Sequence, residues 1–341
     1  MQGKIQLLEE FTTELLICYG VPENEAALIS ASLINADLKG VTSHGVQRLP
    51  SYLKRLEEGQ MAASANPRFI REGGATALLD GDNGFGQVSA AAAVEKVIHL
   101  AREFGLGMVG VRNSNHFGTA SFFTNQICEN RLIGWAISNA PPAMAPFGAK
   151  KPLLGTNPLS VAVPSRKQPI ILDMATTVAA RGKIRVAAKT GKDIPQGWAL
   201  DADGNPTTDP HEALRGSLIG IGGPKGSGLA LMIELLTGIL TGGAWGEQLK
   251  QVTDLSGPCG TCFTIGAIDP FKFIDEDQWE ERVSEVIDSW QALPSVFGGA
   301  VMLPGEIELT KMKENTNGLE VSEGLLADLN KLGGPYNLSL N

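Results

Sequence analysis

The chain of 341 residues is 43% hydrophobic, 19% charged and 6% aromatic, and its formal net charge is −9. The composition is that of a folded protein with a sizeable core, and the acidic balance without a Lys/Arg cluster argues against nucleic-acid binding. Glu234 interrupts the apolar run that comes nearest to membrane-spanning length, and the N-terminus lacks the basic start and apolar centre of a signal peptide. We therefore expect a cytoplasmic protein.

The opening 70 residues are predicted to be helical, with little strand. Apolar positions at helical spacing predict helices over residues 4–19 and 23–38, joined by Gly20-Val21-Pro22. A third helix is predicted over much of 44–58, with Pro50 in its first turns or breaking it, because proline lacks the N–H that a helix interior needs.

After Gly73-Gly74, short apolar runs alternate with helical patterns. Strands are predicted over residues 75–79, 107–111, 133–138, 159–164, 170–173 and 262–268, and helices over 87–104, 119–130, 226–240 and 275–291. The tail after Pro304 is predicted to be loop-like, with a short helix at 321–332. This alternation indicates an α/β fold, with a sheet covered by helices.

A glycine-rich stretch, Gly105-Leu106-Gly107-Met108-Val109-Gly110, matches the GxGxxG fingerprint of dinucleotide-binding Rossmann domains. That fingerprint needs a strand before it and a helix after it, so that the pyrophosphate meets a helix N-terminus. Here the predicted helix comes first, with Gly105 as its C-cap, and the strand follows. We therefore reject a Rossmann site at this loop.

Two further patterns are interpreted as structural, and no metal site is predicted. The stretch 201–205 resembles the start of a calcium loop, but its twelfth position would have to be Glu212 beside His211, so we predict a polar turn. Cys259 and Cys262 form a CxxC without a second ligand pair. We interpret them as small residues that open a buried strand, in preference to zinc or redox chemistry.

A histidine and an arginine four residues apart, His44 and Arg48, form the first candidate site. If this stretch is helical, the two side chains lie on one face, with Cβ atoms about 5–6 Å apart. Arginine binds a carboxylate through two parallel hydrogen bonds, and an imidazole delivers a proton to an adjacent carbonyl oxygen. The pair therefore suits a 2-oxo acid, although the spacing by itself favours a solvated helix face.

A second histidine, His116, lies in Asn113-Ser114-Asn115-His116-Phe117-Gly118, between a predicted strand and a predicted helix. Polar side chains and a glycine at such a turn suit a phosphate or a nicotinamide amide. The alternative is a cluster that caps the following helix, and the spacing by itself favours this alternative.

Eight motifs in one order make the sequence similar to the type 2 malate/L-lactate dehydrogenase family. The resemblance covers residues 4 to 310, and the family also includes sulfolactate and ureidoglycolate dehydrogenases, diketogulonate reductase and cyclic-imine reductases. Eight motifs in a fixed order are far more specific than any one of them. They are Ser43-His44-Gly45 with Arg48, the NSNHFG stretch at 113–118, Leu154-Gly155-Thr156-Asn157-Pro158, Asp173-Met174-Ala175-Thr176, Arg181-Gly182-Lys183-Ile184, Ile194-Pro195-Gln196-Gly197-Trp198, Pro224-Lys225-Gly226 and Leu303-Pro304-Gly305-Glu306.

The resemblance implies a fold and an assembly. A non-Rossmann α/β dinucleotide-binding domain, expected over 74–269, would be inserted between N- and C-terminal helical portions of a second domain. These portions, 1–73 and 270–341, would carry the substrate and dimer contacts. A homodimer with its sites near the subunit interface is implied as well.

The resemblance also implies the site residues and the chemistry. His44, oriented by Ser43, would exchange a proton with the substrate, while NAD or NADP, with NAD favoured, exchanges a hydride. A histidine pKa near its ordinary value of about 6.5 would make both directions accessible at neutral pH. Arg48 would bind the substrate carboxylate, and Thr156, Arg181 and Gly182 would line the pocket. The cofactor would contact His116, Phe117, Gly118, Thr119, Ala120, Asp173, Met174, Ala175, Lys225, Gly226, Pro304, Gly305, Glu306, Ile307 and Glu308.

One position separates the branches of the family. Imine reductases carry an aspartate where this chain has Lys183, and a cation there favours substrates on which negative charge develops. We therefore expect a dehydrogenase that interconverts a small anionic 2-hydroxy acid of the malate, lactate or sulfolactate type and its 2-oxo acid, with Lys183 in the substrate site. A cyclic-imine reductase is the alternative, and a non-catalytic binding protein on the same scaffold is a further one.

Overall fold

The computed structural model of the chain describes residues 2–316 and 318–340, and Met1, Asn317 and Asn341 of the predicted helical portions lie outside this range. Its main sheet has seven strands in the order β1-β2-β3-β10-β4-β5-β6. Only β2 and β3 pair in parallel, and the other pairs are antiparallel. The sheet is therefore mixed and lacks the parallel order of a Rossmann domain. The strands are β1 Arg68–Gly73, β2 Thr76–Asp80, β3 Leu106–Ser114, β4 Ile133–Ser138, β5 Leu159–Val163, β6 Ile170–Met174 and β10 Thr261–Ile268.

The predicted N-terminal helices are confirmed as α1 (Gln2–Cys18) and α2 (Glu23–Leu38). The third helix, α3, spans only Leu49–Glu57, with Pro50 in its first turn. Apolar side chains of these helices share one core with Leu329 of α11 (Glu323–Gly333). Helices from both ends of the chain therefore pack together in this core.

One face of the sheet is covered by α4 (Gly86–Phe104) and α5 (Ala120–Glu129), both close to their predicted bounds. Their apolar residues interdigitate with those of β3 and β10, such as Val111 and Phe263, in a core from which water is excluded. Gly105, at a φ of +83°, ends α4 in the left-handed conformation before β3 begins. The GxGxxG stretch thus has the helix-then-strand order for which it was rejected.

Several elements were missed by the sequence reading. A three-stranded sheet, in the order β8-β7-β9, packs with two helices around a small core of its own. The predicted polar turn joins β7 to β8, since Asp201 Oδ1 accepts hydrogen bonds from the N–H groups of Asp203 and Asn205. The missed elements here are α6 (Arg181–Thr190), β7 (Ala199–Leu200), β8 (Pro206–Thr207), α7 (Pro210–Arg215) and β9 (Ser217–Leu218).

The chain after residue 220 follows the predicted helices and departs from the prediction only in its tail. Helix α8 (Pro224–Glu234) continues through a π-helical turn, Leu235–Ile239, and α9 spans Glu276–Gln291. The tail after Pro304, predicted as a loop, holds α10 (Glu306–Asn315). The acidic side chains in its first turn and the basic side chain in its last turn interact favourably with the helix dipole. No helix among residues 2–316 and 318–340 combines the length and apolar character needed to cross a membrane.

Candidate active site

The loop between α2 and α3 carries His44 and Arg48 on two short 3₁₀ turns, Thr42–His44 and Val46–Arg48. The expectation of one continuous helix here is wrong, because Gly45 is extended between the turns. The Asp37 carboxylate accepts a 2.8 Å hydrogen bond from the Val46 N–H. A Cβ on residue 45 would lie 1.9 Å from Asp37 Oδ1, so only glycine permits this anchor.

The His44 ring is held from two sides. Its Nδ1 lies 2.9 Å from Ser43 Oγ, and the ring stacks on His116 with centroids 5.2 Å apart. Burial, with a further contribution from the Arg48 charge, lowers the pKa of His44 to about 4. His44 is therefore neutral at pH 7, and the expectation of a pKa near the ordinary histidine value is wrong.

His116, assigned above to the nucleotide, lies beside His44. The Gly118 N–H donates to His116 Nδ1 at 3.3 Å, so this nitrogen carries no proton, and the Tyr52 hydroxyl 2.6 Å away must also donate to it. Gln87 Nε2 in turn donates to the Tyr52 oxygen at 3.5 Å. Burial also lowers the pKa of His116 well below the ordinary value, so its proton resides on Nε2 in a neutral ring.

Tyr52 was missed by the sequence reading. Its side chain is 1% exposed in the core beneath the loop, and burial raises its pKa to about 12. A buried tyrosine hydroxyl ordinarily finds a hydrogen-bond partner, and Tyr52 is one of only three tyrosines in the chain. That scarcity was the available signal, although it does not by itself identify His116 as the partner.

Arg48 is a half-buried cation without a partner anion. Its Nε donates to the Ser43 carbonyl at 2.6 Å, and burial lowers its pKa. The ion pairs found between described residues all lie elsewhere. A guanidinium therefore lies next to a neutral histidine with its charge uncompensated, which is the arrangement that an anionic ligand would complete.

Helix α6 approaches this loop through its first turn. A Cβ on Gly182 would lie 4.0 Å from that of Ser43. Arg181 Nη2 donates to the Leu214 carbonyl at 2.8 Å, whereas the exposed Lys183 places Nζ 6.0 Å from the Trp198 ring centroid. Gly182 and Arg181 thus border the site, and Lys183 lies on the flank of α6 against the indole.

The Leu154–Pro158 loop is anchored by a buried network. The Thr156 carbonyl accepts hydrogen bonds from the N–H and the hydroxyl of Thr176, both at 2.9 Å. Asn157 donates from Nδ2 to the Glu234 carboxylate at 2.8 Å, and burial raises the pKa of Glu234. These bonds fix the backbone at Thr156, the predicted lining residue, beside the motif that contains Asp173.

The stretches predicted to contact the cofactor meet at the edge strand β6. The Ser121 N–H, at the start of α5, donates to Asp173 Oδ2 at 2.8 Å, which ties the turn after His116 to β6. The Ile171 N–H donates to the Pro304 carbonyl at 3.1 Å. The Gly226 backbone passes so close to the Thr176 carbonyl that a Cβ would lie 2.6 Å from it. Three distant segments are thereby joined at β6, and the line of residues from His116 to Pro304 is called the cleft below.

Some predicted cofactor residues are already engaged elsewhere. Phe117 is 4% exposed and packs on the Phe263 ring in the sheet core, and Ala120 is buried in the same core. The Glu306 carboxylate accepts hydrogen bonds from the Leu303 N–H and from the Gln168 and Gln291 amides. At these three positions only backbone atoms remain for a ligand.

Two polar groups along the cleft are unsatisfied or unusual. The buried Thr119 Oγ1 has no hydrogen-bond partner among the described residues, beside Gly118 at a φ of +83°. Lys39, which the sequence reading missed, is 6% exposed. Burial lowers its pKa even though the Asp173 and Glu308 carboxylates act in the opposite direction. An incoming polar ligand would satisfy both groups.

The two cysteines of the CxxC lie in the protein interior. Cys259 and Cys262 are free and buried, and burial raises the pKa of both thiols, so they are unreactive and match the structural interpretation. Within the described parts of the chain, no group of three or more His, Cys, Asp or Glu side chains is arranged to hold a metal ion.

Comparison with known proteins gives near full-length matches. Residues 4–330 match the malate/L-lactate dehydrogenase family. The L-sulfolactate dehydrogenase of Methanothermobacter thermautotrophicus is 40% identical over 329 residues, which cover 96% of this chain and 94% of the relative. A Δ1-pyrroline-2-carboxylate/Δ1-piperideine-2-carboxylate reductase of Pseudomonas putida is 34% identical, with 93% of this chain and 92% of the relative covered. The solved sulfolactate dehydrogenase of Methanocaldococcus jannaschii superimposes with a TM-score of 0.94 at 37% identity, covering 98% of this chain and 97% of that one.

Proposed function

Since the chain belongs to the malate/L-lactate dehydrogenase family and is a dehydrogenase, we propose that it interconverts a small 2-hydroxy acid and its 2-oxo acid. The observation that carries this proposal is the uncompensated Arg48 guanidinium next to the neutral His44 ring. A 2-oxo acid presents a carboxylate and a carbonyl oxygen on adjacent carbons, so one small molecule engages both groups.

The proton in this reaction is exchanged at His44 Nε2. When the neutral ring donates from Nδ1 to Ser43 Oγ, at 2.9 Å, Nε2 keeps a free lone pair that takes the hydroxyl proton during oxidation. The bound nicotinamide supplies the hydride chemistry at C2. An anionic substrate offsets the Arg48 charge that lowers the pKa of His44, so its binding makes the protonated state easier to reach for reduction.

The substrate pocket is proposed to comprise Arg48, Thr156, Arg181 and Gly182, with Lys183 at its edge. Gly182 brings α6 against Ser43, and the Thr176 hydrogen bonds hold the Thr156 backbone. His116 Nε2–H, next to His44, adds a neutral donor suited to an oxygen on which negative charge develops.

The residues along the cleft fit a dinucleotide cofactor. Thr119 Oγ1, which has no partner among the described residues, is proposed to bind the cofactor beside the Gly118 backbone, while the Ser121 N–H at the start of α5 is already bound to Asp173. Asp173 and Glu308 are proposed to accept from the ribose hydroxyls, and Lys225 and the 304–308 segment are proposed to complete the cofactor site; the Ile171–Pro304 hydrogen bond, which holds that segment against β6, supports this. The cofactor is proposed to be NAD or NADP, and carboxylates at a ribose favour NAD because they repel a 2′-phosphate.

The second candidate is a cyclic-imine reductase. The observation that supports it is the 34% identity to the reductase from Pseudomonas putida. Its substrate ring nitrogen becomes cationic on protonation and needs a nearby carboxylate. The charged side chain that acts on His44 is instead the Arg48 cation, while the Asp37 carboxylate is bound to the Val46 N–H. The local charge therefore favours the 2-oxo acid.

A spectrophotometric screen of NADH and NADPH oxidation with 2-oxo acids and cyclic imines tests this proposal. At least one of oxaloacetate, pyruvate and sulfopyruvate is expected to have a higher kcat/KM than Δ1-piperideine- or Δ1-pyrroline-2-carboxylate. If the cyclic imines are the better substrates, the hydroxy-acid assignment is wrong. Failure of both substrate classes, together with no nucleotide binding, would favour a non-catalytic binding protein.

The working unit is proposed to be a homodimer. Seven large apolar side chains are exposed along α8 and its π-helical extension, which is far more than scattered surface residues explain. A second copy that covers this face would bury it next to Lys225 and Gly226, at the cofactor cleft. The exposed side chains are Leu229, Leu231, Met232, Leu235, Leu236, Ile239 and Leu240.

A further inference from the structure

Arg185, a residue that no sequence motif singled out, lies on the face of α6 that borders the active-site loop. Gly182 lies on this face, because a Cβ added to it would lie 4.0 Å from the Cβ of Ser43. Residues three apart share a helix face, so Arg185 follows Gly182 on this side of α6. Its charge accordingly contributes to lowering the pKa of both Arg48 and Arg181.

The three guanidiniums form a cationic cluster that no acidic side chain neutralises. Arg48 and Arg181 are each held by a main-chain carbonyl, of Ser43 and Leu214 respectively. The exposed Arg185 forms no hydrogen bond or ion pair among residues 2–316 and 318–340. Repulsion between like charges destabilises the folded state when no counter-charge is present. An anionic ligand bound at the cluster would relieve this repulsion.

One ligand carboxylate does not use all of this charge. A planar carboxylate receives a bidentate pair from a single guanidinium, and Arg48 is the one adjacent to His44. Arg185 is then left to face the part of the substrate beyond C2. Lys183 is not an equivalent candidate, since a step of one residue turns it by about 100° from Gly182, to where its Nζ lies over the Trp198 ring.

We propose that Arg185 binds a second anionic group of the substrate, on the carbon beyond C2, and so selects dianionic 2-oxo acids over monoanionic ones. The inference rests on the proposed function, in which Arg48 holds the first carboxylate. The partner of Arg185 is a carboxylate or a sulfonate on C3, because both present oxygens that accept from a guanidinium. In pyruvate, C3 is a methyl group without an anionic substituent, so Arg185 has no group to bind.

The test compares Arg185→Gln with Lys183→Gln, at the competing cation, and with Lys189→Gln, a matched loss of one charge from an exposed position on the same helix. We measure kcat/KM for oxaloacetate and for pyruvate, and the Kd of malate and of lactate for the enzyme–NADH complex by calorimetry. These last complexes cannot react, because substrate and cofactor are both reduced, so they report binding separately from turnover. Retained melting temperatures confirm that the variants fold.

Arg185→Gln is expected to weaken oxaloacetate kcat/KM and malate binding by about tenfold to a hundredfold, the range for a hydrogen bond to a charged group. Pyruvate and lactate should change less than about threefold, and Arg185→Lys should recover part of the loss since it restores the charge. Lys189→Gln should leave the ratio of oxaloacetate to pyruvate kcat/KM unchanged, and Lys183→Gln should change it less than Arg185→Gln does.

Equal losses for dianions and monoanions in Arg185→Gln, or a selective loss in Lys183→Gln instead, would overturn the inference. Failure of the proposed function looks different, since the unaltered enzyme would then turn over neither 2-oxo acid. In that event, binding of malate over lactate by the NADH complex, lost in Arg185→Gln, would still support the anion site.

Discussion

The two histidines of the site are both neutral at pH 7, for the same physical reason. Each ring is buried beside the Arg48 cation, and removing an imidazolium from water next to a like charge lowers its pKa. They differ in their Nδ1 partners, which are Ser43 Oγ for His44 and the Tyr52 hydroxyl for His116. Only His44 can adopt the tautomer that leaves Nε2 free, because His116 Nδ1 accepts from Gly118.

Replacing His44 tests its role as the proton-exchanging group. His44→Ala is expected to lose at least about a hundredfold in kcat, the lower end for general acid–base catalysis, while the Kd for NADH measured by fluorescence stays the same. His99→Ala is the control, since His99 is exposed on α4 and pairs only with Glu103. Near-normal turnover of His44→Ala between pH 6 and 9 would remove His44 from the mechanism.

The pH dependence of kcat/KM reports the lowered pKa of His44 in the free enzyme. Reduction needs the protonated ring, so its kcat/KM is expected to keep rising as the pH falls from 8 to 5, toward a pKa of about 4. Oxidation needs the neutral ring and should be level over the same range. A break near 6.5 in both directions would show an unperturbed histidine. Asp37→Asn serves as the control, because Asp37, with a pKa raised to about 6, also titrates in this range.

Truncating Arg48 separates substrate binding from the exchange of the proton. Arg48→Ala is expected to raise KM for 2-oxo acids by a factor corresponding to roughly 2–5 kcal/mol, the cost of removing one partner of a buried charge pair. NADH binding, followed by fluorescence, should be unaffected. If KM stays constant, Arg181 or Arg185 must hold the carboxylate that we assign to Arg48.

At the scale of elements, the active-site loop depends on one carboxylate from the preceding helix. Asp37, near the end of α2, anchors the Val46 N–H and packs against the Gly45 backbone, so the loop keeps its two short turns. Burial raises the pKa of this carboxyl to about 6. The ionised Asp37 carboxylate therefore positions the loop but, because it is buried, also lowers the free energy of unfolding.

The cost of that charge predicts a pH-dependent stability difference. A carboxyl with a folded-state pKa above its unfolded value loses stability as the pH rises through the window between them, here from about 4 to about 6. Asp37→Asn keeps an oxygen for Val46 and removes the charge. Between pH 4 and pH 7, the free energy of unfolding of this variant should therefore rise by up to about 2–3 kcal/mol relative to that of the unaltered protein.

Denaturant titrations of both proteins at the two pH values measure this gain. Asp37→Ala, which has no acceptor, is the comparison and should lose stability at both. If the difference between Asp37→Asn and the unaltered protein does not change with pH, the Asp37 carboxyl does not carry a raised pKa.

At the scale of the whole molecule, the cleft lies where separate parts of the chain meet. The loop after α2 supplies His44 and Arg48, the turn before α5 supplies His116, and β6 with the 304–308 segment supplies the far end. The exposed apolar face of α8 lies next to the Thr176–Gly226 contact. Assembly and cofactor cleft are therefore neighbours in the proposed dimer.

Charging that face tests the dimer. Leu236→Glu with Met232→Glu places two carboxylates on the apolar face of α8, where burial against a second copy would cost several kcal/mol. The unaltered chain is expected to have twice the monomer mass by light scattering, and the double variant the mass of a monomer. Ile70→Glu, at an exposed apolar position on β1, should remain a dimer. A monomeric unaltered chain at micromolar concentration would contradict the proposal.

The sequence by itself determined those features that local patterns encode. Helical spacing predicted α1, α2, α4, α5 and α9 to within a few residues, and the order of helix and strand around Gly105 excluded a Rossmann loop. The family motifs identified His44, Arg48 and the segments that meet at β6. Elements without a clear period, such as α6 and the short strands β7 to β9, were missed because neighbouring segments rather than their own patterns stabilise them.

Only the tertiary structure decided the electrostatics of the site. The pKa of His44 depends on burial and on Arg48, and the second hydrogen bond to His116 Nδ1 comes from Tyr52, 64 residues away. The packing of α6 likewise brings the Arg185 charge close enough to act on Arg48, whereas Lys183 Nζ lies 6.0 Å from the Trp198 ring centroid. Desolvation and charge interactions act through space, between groups whose distances the chain order does not specify.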